Sequence, residues 1–180
     1  MKVLAVSGSL RADSYNTRLL EAAAQAAPEG VEVELLDPSV IAELPLYDQD
    51  LDVSGELPFS VQRLRDGWAE ADAILFATPE YNGSVPGGLK NAVDWASRPR
   101  ADSALLNKTV TVTGASTGQF GALWAQNDLR RILGIAGARV VGEAVPVARA
   151  GEGFDEELHG RLRTQLQLLV EVVQPDEVAA

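Results

Sequence analysis

The chain has 180 residues, of which 26 are acidic and 15 basic, so its formal net charge is −11. This acidic charge argues against binding to nucleic acid, because it repels phosphate backbones. The chain has no cysteine and one histidine, His159, which excludes a disulfide framework and argues against a tetrahedral zinc site.

The first predicted element is a buried strand at Lys2–Ser7. Its apolar run has only four residues, which is too short for a signal peptide or for a membrane-spanning helix of about 20 residues. We therefore expect a cytoplasmic protein. The length is typical of one domain, and we expect residues 1–180 to form it.

Short apolar runs alternate with helical patterns along the rest of the chain. Strands are predicted at Lys2–Ser7, Val31–Leu36, Ala73–Ala77, Thr109–Thr113 and Ala138–Val147. Helices are predicted at Ser14–Ala27, Leu57–Ala71, Ser84–Ala96, Gly121–Leu133 and Phe154–Val173. This order predicts an α/β fold with three layers, in which a doubly wound, five-stranded parallel sheet lies between helices. Ligands of such sheets bind outside the carboxyl ends of the strands, so the loops after Ser7, Ala77 and Thr113 are the candidates for a site.

A long stretch without clear period separates the second strand from the second helix, at Asp37–Glu56. Long loops in compact domains are often functional. Asp48, Asp50 and Asp52 alternate as in a calcium loop, but the glycine and the closing glutamate are not at the required spacing. We expect a solvated acidic loop and no metal site.

The loop after the first strand, residues 8–17, is rich in groups that bind phosphate. It lacks both the dinucleotide fingerprint and the Gly-Lys-Ser/Thr ending of a nucleotide-binding loop, so a terminal monophosphate fits better than a longer phosphate chain. The first-turn N–H groups of the helix bind such a group directly. Hydroxyl, amide and guanidinium groups that add hydrogen bonds belong to Ser9, Arg11, Ser14, Asn16 and Thr17. The alternative is a polar turn that ends in the N-cap residue Ser14.

The loop after the third strand, residues 78–91, combines conformational restriction with places of close backbone approach. Pro79 and Pro86 fix φ, whereas Gly83 permits positive φ. Tyr81 offers a flat face to a planar ring, and Asn82 with the neighbouring backbone can bond to the polar edge of that ring. A flavin pyrimidine suits such a loop, and a rigid turn entering a helix is the alternative.

Two motifs carry a resemblance to a known family. The first is Gly8-Ser9-Leu10-Arg11-x-x-Ser14-x-Asn16. The second is Pro79-Glu80-Tyr81-Asn82-x-Ser84-Val85-Pro86-Gly87-x-Leu89-Lys90-Asn91-Ala92-x-Asp94-Trp95. Together they resemble the NADPH-dependent FMN reductase family, which includes chromate, quinone and azoreductase-like enzymes.

The resemblance implies a flavodoxin-like fold with non-covalent FMN held by three loops. The phosphate would lie on the first loop, the ring beside the second, and a third contact would come from the loop after the fourth strand. The implied cofactor-binding residues are Ser9, Leu10, Arg11, Ser14, Asn16, Thr17, Pro79, Glu80, Tyr81, Asn82, Ser84, Ala115, Ser116, Thr117 and Gly118. The chain departs from many relatives at Gly121-Ala122, where they have two glycines, and from some at Ala115, where they have a hydroxyl residue.

The resemblance also implies a ping-pong reaction, in which NADPH or NADH gives a hydride to FMN and a small acceptor, such as a quinone or an azo compound, then takes it. No side chain is expected to act as acid, base or nucleophile, because the flavin carries the chemistry. Family members are homodimers or homotetramers with the flavin at a subunit interface. Alternative functions are a reductase that supplies reduced FMN to a partner monooxygenase, a flavodoxin-like electron carrier and a flavin-free binding module.

Four further side chains are assigned structural roles. Trp68, Trp95 and Trp124 fall on predicted helices and are expected in the core or at a subunit interface rather than against the flavin. His159, on the last helix, is expected at the surface away from the three loops.

Overall fold

The computed structural model describes residues 1–53 and 55–175. Its strands form one parallel sheet in the order β2-β1-β3-β4-β5, the flavodoxin-like order. The strands are β1 (Lys2–Ser7), β2 (Glu32–Leu35), β3 (Ala73–Ala77), β4 (Thr109–Ala115), β5 (Arg139–Val140) and β6 (Val145–Val147). The predicted fold class is therefore confirmed.

Helices cover both faces of the sheet. They are α1 (Tyr15–Gln25), a single turn α2 (Ser39–Ala42), α3 (Phe59–Glu70), α4 (Gly87–Ala96), α5 (Leu123–Ile135) and α6 (Glu156–Val173). Alternate residues of β1 point to opposite faces, as the pleat requires: Val3 packs with the leucines of α1 and α6, and Leu4 packs with those of α3, α4 and α5. Each fully buried leucine in these two cores stabilises the fold by about 1.5–3 kcal/mol.

The last strand differs from its prediction as one element over Ala138–Val147. It is split into β5 and β6, and both parts pair with β4. Between them Gly142 adopts a φ of 65°, and the buried side chain of Gln165 on α6 donates hydrogen bonds to the carbonyl oxygens of Val112 (3.0 Å) and Glu143 (3.3 Å). A side-chain amide thus replaces part of the ladder where the strand bends away.

Three boundaries at the predicted loops also differ. β4 runs on to Ala115, so this residue ends a strand and does not belong to the loop that follows. α4 begins at Gly87, after Pro86, which leaves Ser84 outside the helix. α5 begins at Leu123 and not at Gly121, because Gly121 and Ala122 adopt left-handed φ values of 56° and 61°.

The tryptophans and the histidine mostly lie where expected. Trp68 and Trp95 are fully buried, whereas Trp124 is 49% exposed and so is not part of the core. His159 lies on α6, where its Nδ1 is 2.8 Å from the carbonyl oxygen of Asp155. No helix within the described residues has the length and apolar character needed to cross a membrane.

Candidate active site

A cleft of about 250 Å³ lies at the carboxyl edge of the sheet, where the loops after β1, β3 and β4 meet. It is lined by Ser9, Arg11, Ser14, Tyr15, Asn16, Pro79, Glu80, Tyr81, Ala115, Ser116 and Thr117. Ten of the fifteen residues implied by the resemblance are among them. The five that do not line it are Leu10, Thr17, Asn82, Ser84 and Gly118. Sequence reasoning did not single out Tyr15, although it is the first residue of the helix at the expected phosphate loop.

The first loop presents polar groups around the start of α1. The Ser14 hydroxyl is the N-cap and accepts hydrogen bonds from the backbone N–H of Asn16 (3.1 Å) and of Thr17 (3.3 Å), as predicted. The N–H of Tyr15 has no partner among the described residues. The Arg11 guanidinium lies 5.5 Å from the centre of the Tyr15 ring and donates to the carbonyl oxygen of Asp13, so it is held over this loop.

The side chains of Asn16 and Thr17 are directed to other partners. The Asn16 amide donates to the carbonyl oxygen of Ala115 (3.1 Å) and accepts from its N–H (2.9 Å). The Thr17 hydroxyl donates to the hydroxyl of Ser7 (3.1 Å). Asn16 therefore joins the first loop to the end of β4, and neither polar group is free as the sequence interpretation supposed.

The second loop is a tight two-residue turn between Tyr81 and Ser84, whose backbone groups exchange two hydrogen bonds of 3.1 and 3.2 Å. Asn82 and Gly83 both have positive φ, 53° and 75°, which is the geometry that Asn-Gly favours. Their N–H groups have no partner within the described chain. The Asn-Gly pair is a sequence signal that could have located this turn.

Side chains of the second loop bind to α5. The Glu80 carboxylate accepts hydrogen bonds from the backbone N–H of Trp124 (3.0 Å) and Ala125 (3.1 Å). It therefore does the work of an N-cap, since Ala122 at the cap position has no side-chain oxygen. The Ser84 hydroxyl donates to Asp128 (2.8 Å). These contacts fix the second loop against α5.

The third loop is tied to β6 and to the residues after it. The N–H of Ser116 donates to the carbonyl oxygen of Val147 (3.1 Å), and the N–H of Arg149 donates to that of Gly118 (3.2 Å). Ser116 and Thr117 line the cleft. The loop thus offers hydroxyl groups from a backbone that is already hydrogen-bonded.

Glycines allow the strand ends to approach one another at the base of the cleft. A Cβ atom on Gly8 would lie 2.7 Å from the Leu89 side chain and 3.2 Å from the Pro79 ring, and one on Gly114 would lie 2.5 Å from the carbonyl oxygen of Thr78. A larger residue at Gly114 would push the loops apart, whereas one at Gly8 would first displace the end of the Leu89 side chain.

The second half of the long motif holds the Asp37–Glu56 segment against α4. Asn91 accepts from the N–H of Tyr47 (2.8 Å) and donates to the carbonyl oxygen of Pro45 (2.8 Å), to which the Trp95 indole also donates (2.8 Å). An ion pair of 2.9 Å between Arg65 and Asp52 fixes the same segment to α3. These motif residues stabilise the scaffold, a role that the motif alone does not reveal.

The groups in the cleft fit FMN. Of the described residues that line it, Arg11 is the only cation and Glu80 the only anion. Because two N–H groups of α5 already bind the Glu80 carboxylate, its negative charge in the cleft is partly offset. Hydroxyl groups of Ser9, Ser14 and Thr117 supply neutral donors. The Asn82–Gly83 turn does not line the cleft but follows the lining residue Tyr81 directly, and its N–H groups match a ring edge that carries acceptors.

Comparison with known proteins agrees with this geometry. Residues 1–152 match the sequence model of a family described as NADPH-dependent FMN reductase. The chain belongs to that family. The chain is 43% identical to an NAD(P)H-dependent FMN reductase of Pseudomonas aeruginosa, over 90% of this chain and 84% of that protein. It is 36% identical to a quinone reductase of Escherichia coli, over 97% and 96% of the two chains. The solved structure of FerB, a flavoenzyme NAD(P)H:(acceptor) oxidoreductase of Paracoccus denitrificans, matches with a TM-score of 0.81 and 34% identity, over 97% of each chain.

Membership in the FMN reductase family makes the protein an oxidoreductase, with FMN as cofactor and NAD(P)H as electron donor.

The structure also shows what the Gly121-Ala122 departure from many relatives means for the backbone. A Cβ atom on Gly121 would lie 2.5 Å from the backbone nitrogen of Val147, so this glycine is required. Ala122 has a left-handed φ of 61°, which costs a residue with a Cβ atom about 1–2 kcal/mol and which glycine adopts freely.

Proposed function

We propose that this member of the FMN reductase family passes a hydride from NAD(P)H to bound FMN and then to a quinone, azo or other small acceptor, by a ping-pong mechanism. One observation carries the proposal. The three loops implied by the motifs converge on a single polar cleft. Glu80 carries the only carboxylate among the described residues that line this cleft, and it is hydrogen-bonded to α5.

The proposed positions of the cofactor follow from the chemistry of each loop. The phosphate would lie on the first loop, where Arg11, the hydroxyl groups of Ser9 and Ser14 and the N–H of Tyr15 are available, with Leu10 adjacent and Asn16 and Thr17 below it. The ring would lie beside Pro79, Glu80, Tyr81 and Asn82, with Ser84 closing the turn. Ala115, Ser116, Thr117 and Gly118 would form the third wall.

The residues of the chain would position FMN and tune its ring, and bound FMN would supply the redox chemistry. The N–H groups of Asn82 and Gly83 would donate to the polar edge of the ring and stabilise negative charge there. The Asn16 amide holds the first and third loops at one separation, and Glu80 does the same for the second loop and α5. Positioning of this kind requires no side chain that gains or loses a proton.

The overall reaction balances as a two-electron transfer. NAD(P)H gives up a hydride and leaves as NAD(P)⁺, and a quinone then takes that hydride with one proton from solvent and leaves as the hydroquinone. The nicotinamide ring of NAD(P)H and the quinone are both flat and would use the same open side of the cleft in turn. Such alternation would give the reaction a ping-pong order.

We further propose that residues 1–180 form one domain, that the protein is cytoplasmic, and that it assembles as a homodimer or homotetramer with the flavin near a subunit interface. The absence of cysteine fits a reducing compartment. Half-exposed aromatic rings beside the cleft, Phe120 and Trp124, fit an assembly that covers this edge.

The purified protein, reconstituted with FMN, tests these proposals in one spectroscopic experiment. Anaerobic NADPH should bleach the visible absorbance of the flavin, and a quinone should restore it without carrying flavin off the protein. Failure to bind FMN contradicts the whole proposal. Stable colour under NADPH favours an electron carrier, and release of reduced FMN favours a reductase that supplies a partner.

The phosphate position is tested with two flavins that differ only in that group. Arg11→Gln should weaken binding of FMN by about tenfold, because a charge-assisted hydrogen bond is lost, and should leave riboflavin affinity unchanged. Arg161→Gln, which removes an exposed arginine from α6, is the matched control. Equal losses for FMN and riboflavin would place Arg11 away from the phosphate.

A further inference from the structure

The tight turn of the second loop contains a pair of residues at which the chain is chemically labile. Asparagine is a thermolabile residue, because the backbone nitrogen of the following residue can attack its side-chain carbonyl carbon. The attack is least hindered when the following residue is glycine, which has no Cβ atom. Among the five asparagines of the chain, only Asn82 is followed by glycine.

The reaction at this pair needs no reagent other than water. The backbone nitrogen of Gly83 forms a bond to Cγ of Asn82, the Cγ–Nδ2 bond breaks, and ammonia leaves with the proton of the Gly83 N–H. The product is a cyclic imide. Water then opens the imide at either carbonyl carbon, which leaves an aspartate or an isoaspartate, whose main chain runs through the side-chain carbon. No group is oxidised or reduced.

The structure leaves the pair open to this reaction. Asn82 and Gly83 are exposed, a Cβ atom on Gly83 would meet nothing within 4 Å, and the N–H of Gly83 has no partner within the described chain. The turn is held by the two backbone hydrogen bonds between Tyr81 and Ser84, 3.1 and 3.2 Å long. Ring closure requires rotation of the Asn82 backbone, which brings the Gly83 nitrogen to the side chain, so the reaction proceeds when the turn opens.

Asn107 provides a comparison within the same chain, because it is also exposed and also has a positive φ, 59°. It is followed by Lys108, whose Cβ atom hinders attack and whose N–H donates to the carbonyl oxygen of Leu105 (3.1 Å). The remaining asparagines lie inside helices, where the next N–H is already hydrogen-bonded: Asn16, Asn91 and Asn127. Among the asparagines, all of which the structure describes, Asn82 alone combines exposure, a following glycine and an N–H without a protein partner.

The reaction would remove groups that the cofactor is proposed to use. The N–H groups of Asn82 and Gly83 are the proposed donors to the polar edge of the flavin ring. The imide consumes the Gly83 N–H, and both final products place a carboxylate where negative charge on the ring would otherwise be stabilised. The isoaspartate also adds a main-chain atom to a two-residue turn, whose register depends on its length. Converted protein should therefore bind FMN poorly.

Bound FMN would oppose the reaction for the same reason. A ring edge that accepts from the Gly83 N–H occupies the attacking nitrogen, and contacts with both N–H groups hold the turn closed. The rate should then follow the fraction of FMN-free protein, which falls as FMN exceeds its Kd.

We propose, on the basis of the cofactor position proposed above, that Asn82-Gly83 is a deamidation site that bound FMN protects. In the FMN-free chain the turn ages, and the chain loses its ability to take up the cofactor. In the loaded protein the flavin preserves the turn that binds it.

The test follows the conversion of each asparagine by peptide mass spectrometry, in protein kept in the dark in mildly alkaline buffer. In the FMN-free protein Asn82 should convert at least about tenfold faster than Asn107, because glycine follows only the first. FMN at about ten times its Kd should slow conversion of Asn82 about tenfold and leave that of Asn107 unchanged.

Two glycine variants separate hindered attack from strain in the backbone. Gly83→Ala should slow the conversion of Asn82 severalfold, because the added Cβ atom hinders the attacking nitrogen. Gly30→Ala is the matched control, since Gly30 also has a positive φ and open space around it, and it should leave the rate at Asn82 unchanged. Equal rates at Asn82 in the two variants would overturn the proposal.

A binding measurement provides a second readout. FMN-free protein is aged until a known fraction of Asn82 has converted and is then titrated with FMN, and the fraction that binds should fall in proportion to the unconverted asparagine. Full binding capacity of converted protein would overturn the proposal. So would equal conversion of Asn82 and Asn107, or equal conversion of Asn82 with and without FMN, since the flavin would then protect nothing.

Failure of the underlying function is visible separately. It appears in fresh protein as absence of flavin binding, or as bound flavin that NADPH does not bleach. Failure of the deamidation site appears as an Asn82 that converts no faster than Asn107. That comparison uses the FMN-free protein and tests the site in either case.

Discussion

The hydrogen bonds between Asn16 and Ala115 should be the most important polar contacts of the cleft. Both residues are nearly fully buried, with exposures of 3% and 2%. Asn16→Ala removes both partners of the Ala115 backbone and leaves a buried N–H and a buried carbonyl oxygen unpaired. Each such group costs about 1–3 kcal/mol, and the better helix propensity of alanine returns about 0.6 kcal/mol. We expect a net loss of about 1.5–5 kcal/mol in the free energy of unfolding.

Equilibrium urea unfolding of the FMN-free protein measures this loss. The total stability of a domain is about 5–15 kcal/mol, so the midpoint should fall clearly while the slope is unchanged. Asn127→Ala, which truncates an exposed asparagine on α5, should change the stability by less than about 0.5 kcal/mol. If the two variants differ by less than about 1 kcal/mol, the reasoning is refuted, because water then serves the Ala115 groups as well as the amide does.

Three further predictions concern the backbone and a partly buried lysine. Asn82→Pro should raise the Kd for FMN by at least about tenfold, because proline cannot adopt φ of 53° and removes an N–H. The control Asn82→Gly should bind FMN normally. Normal affinity of the proline variant in a fluorescence titration would show that this turn does not hold the flavin. Gly121→Ala should lower the free energy of unfolding in urea by more than about 2 kcal/mol, and Gly83→Ala by only about 1 kcal/mol. Both glycines have positive φ, but only at Gly121 would the added Cβ atom contact backbone, that of Val147. Equal losses would contradict this reasoning. Burial lowers the pKa of Lys108 from its ordinary 10.5. At pH values between the lowered pKa of the folded protein and the ordinary pKa, the unfolded chain holds more protons than the folded one, so wild-type stability should rise with pH relative to Lys108→Met. If the urea midpoints of the two proteins differ by the same amount at pH 7 and at pH 10, the prediction is contradicted.

The fold class could be predicted because its signals are local. β1 and β3 are apolar runs, and the helices carry apolar residues at helical spacing, so strands and helices were recognised from a few neighbours each. Boundaries were less accurate where conformation depends on contacts from elsewhere. α5 begins two residues late because Gly121 is turned left-handed against Val147, and β6 separates from β5 where Gln165 of α6 inserts its amide.

The candidate site could be predicted to the level of loops but not of individual atoms. The motifs indicated the residues that now line one cleft, and the parallel sheet explains why they meet. The motifs did not indicate which of these groups are already bonded to protein. Asn91 and Trp95 lie in the same long motif as Tyr81, yet they support the Asp37–Glu56 segment.

The sequence by itself determined the alternation of strands and helices, the three loops and the family, because these reside in contiguous residues whose spacing and chemistry are legible without a partner. Only the tertiary structure decided which polar groups remain available to a ligand. Asn16 binds Ala115, 99 positions away, and Glu80 caps a helix that begins more than 40 residues later. Such pairings depend on how distant segments pack, and no local pattern encodes the distance between them.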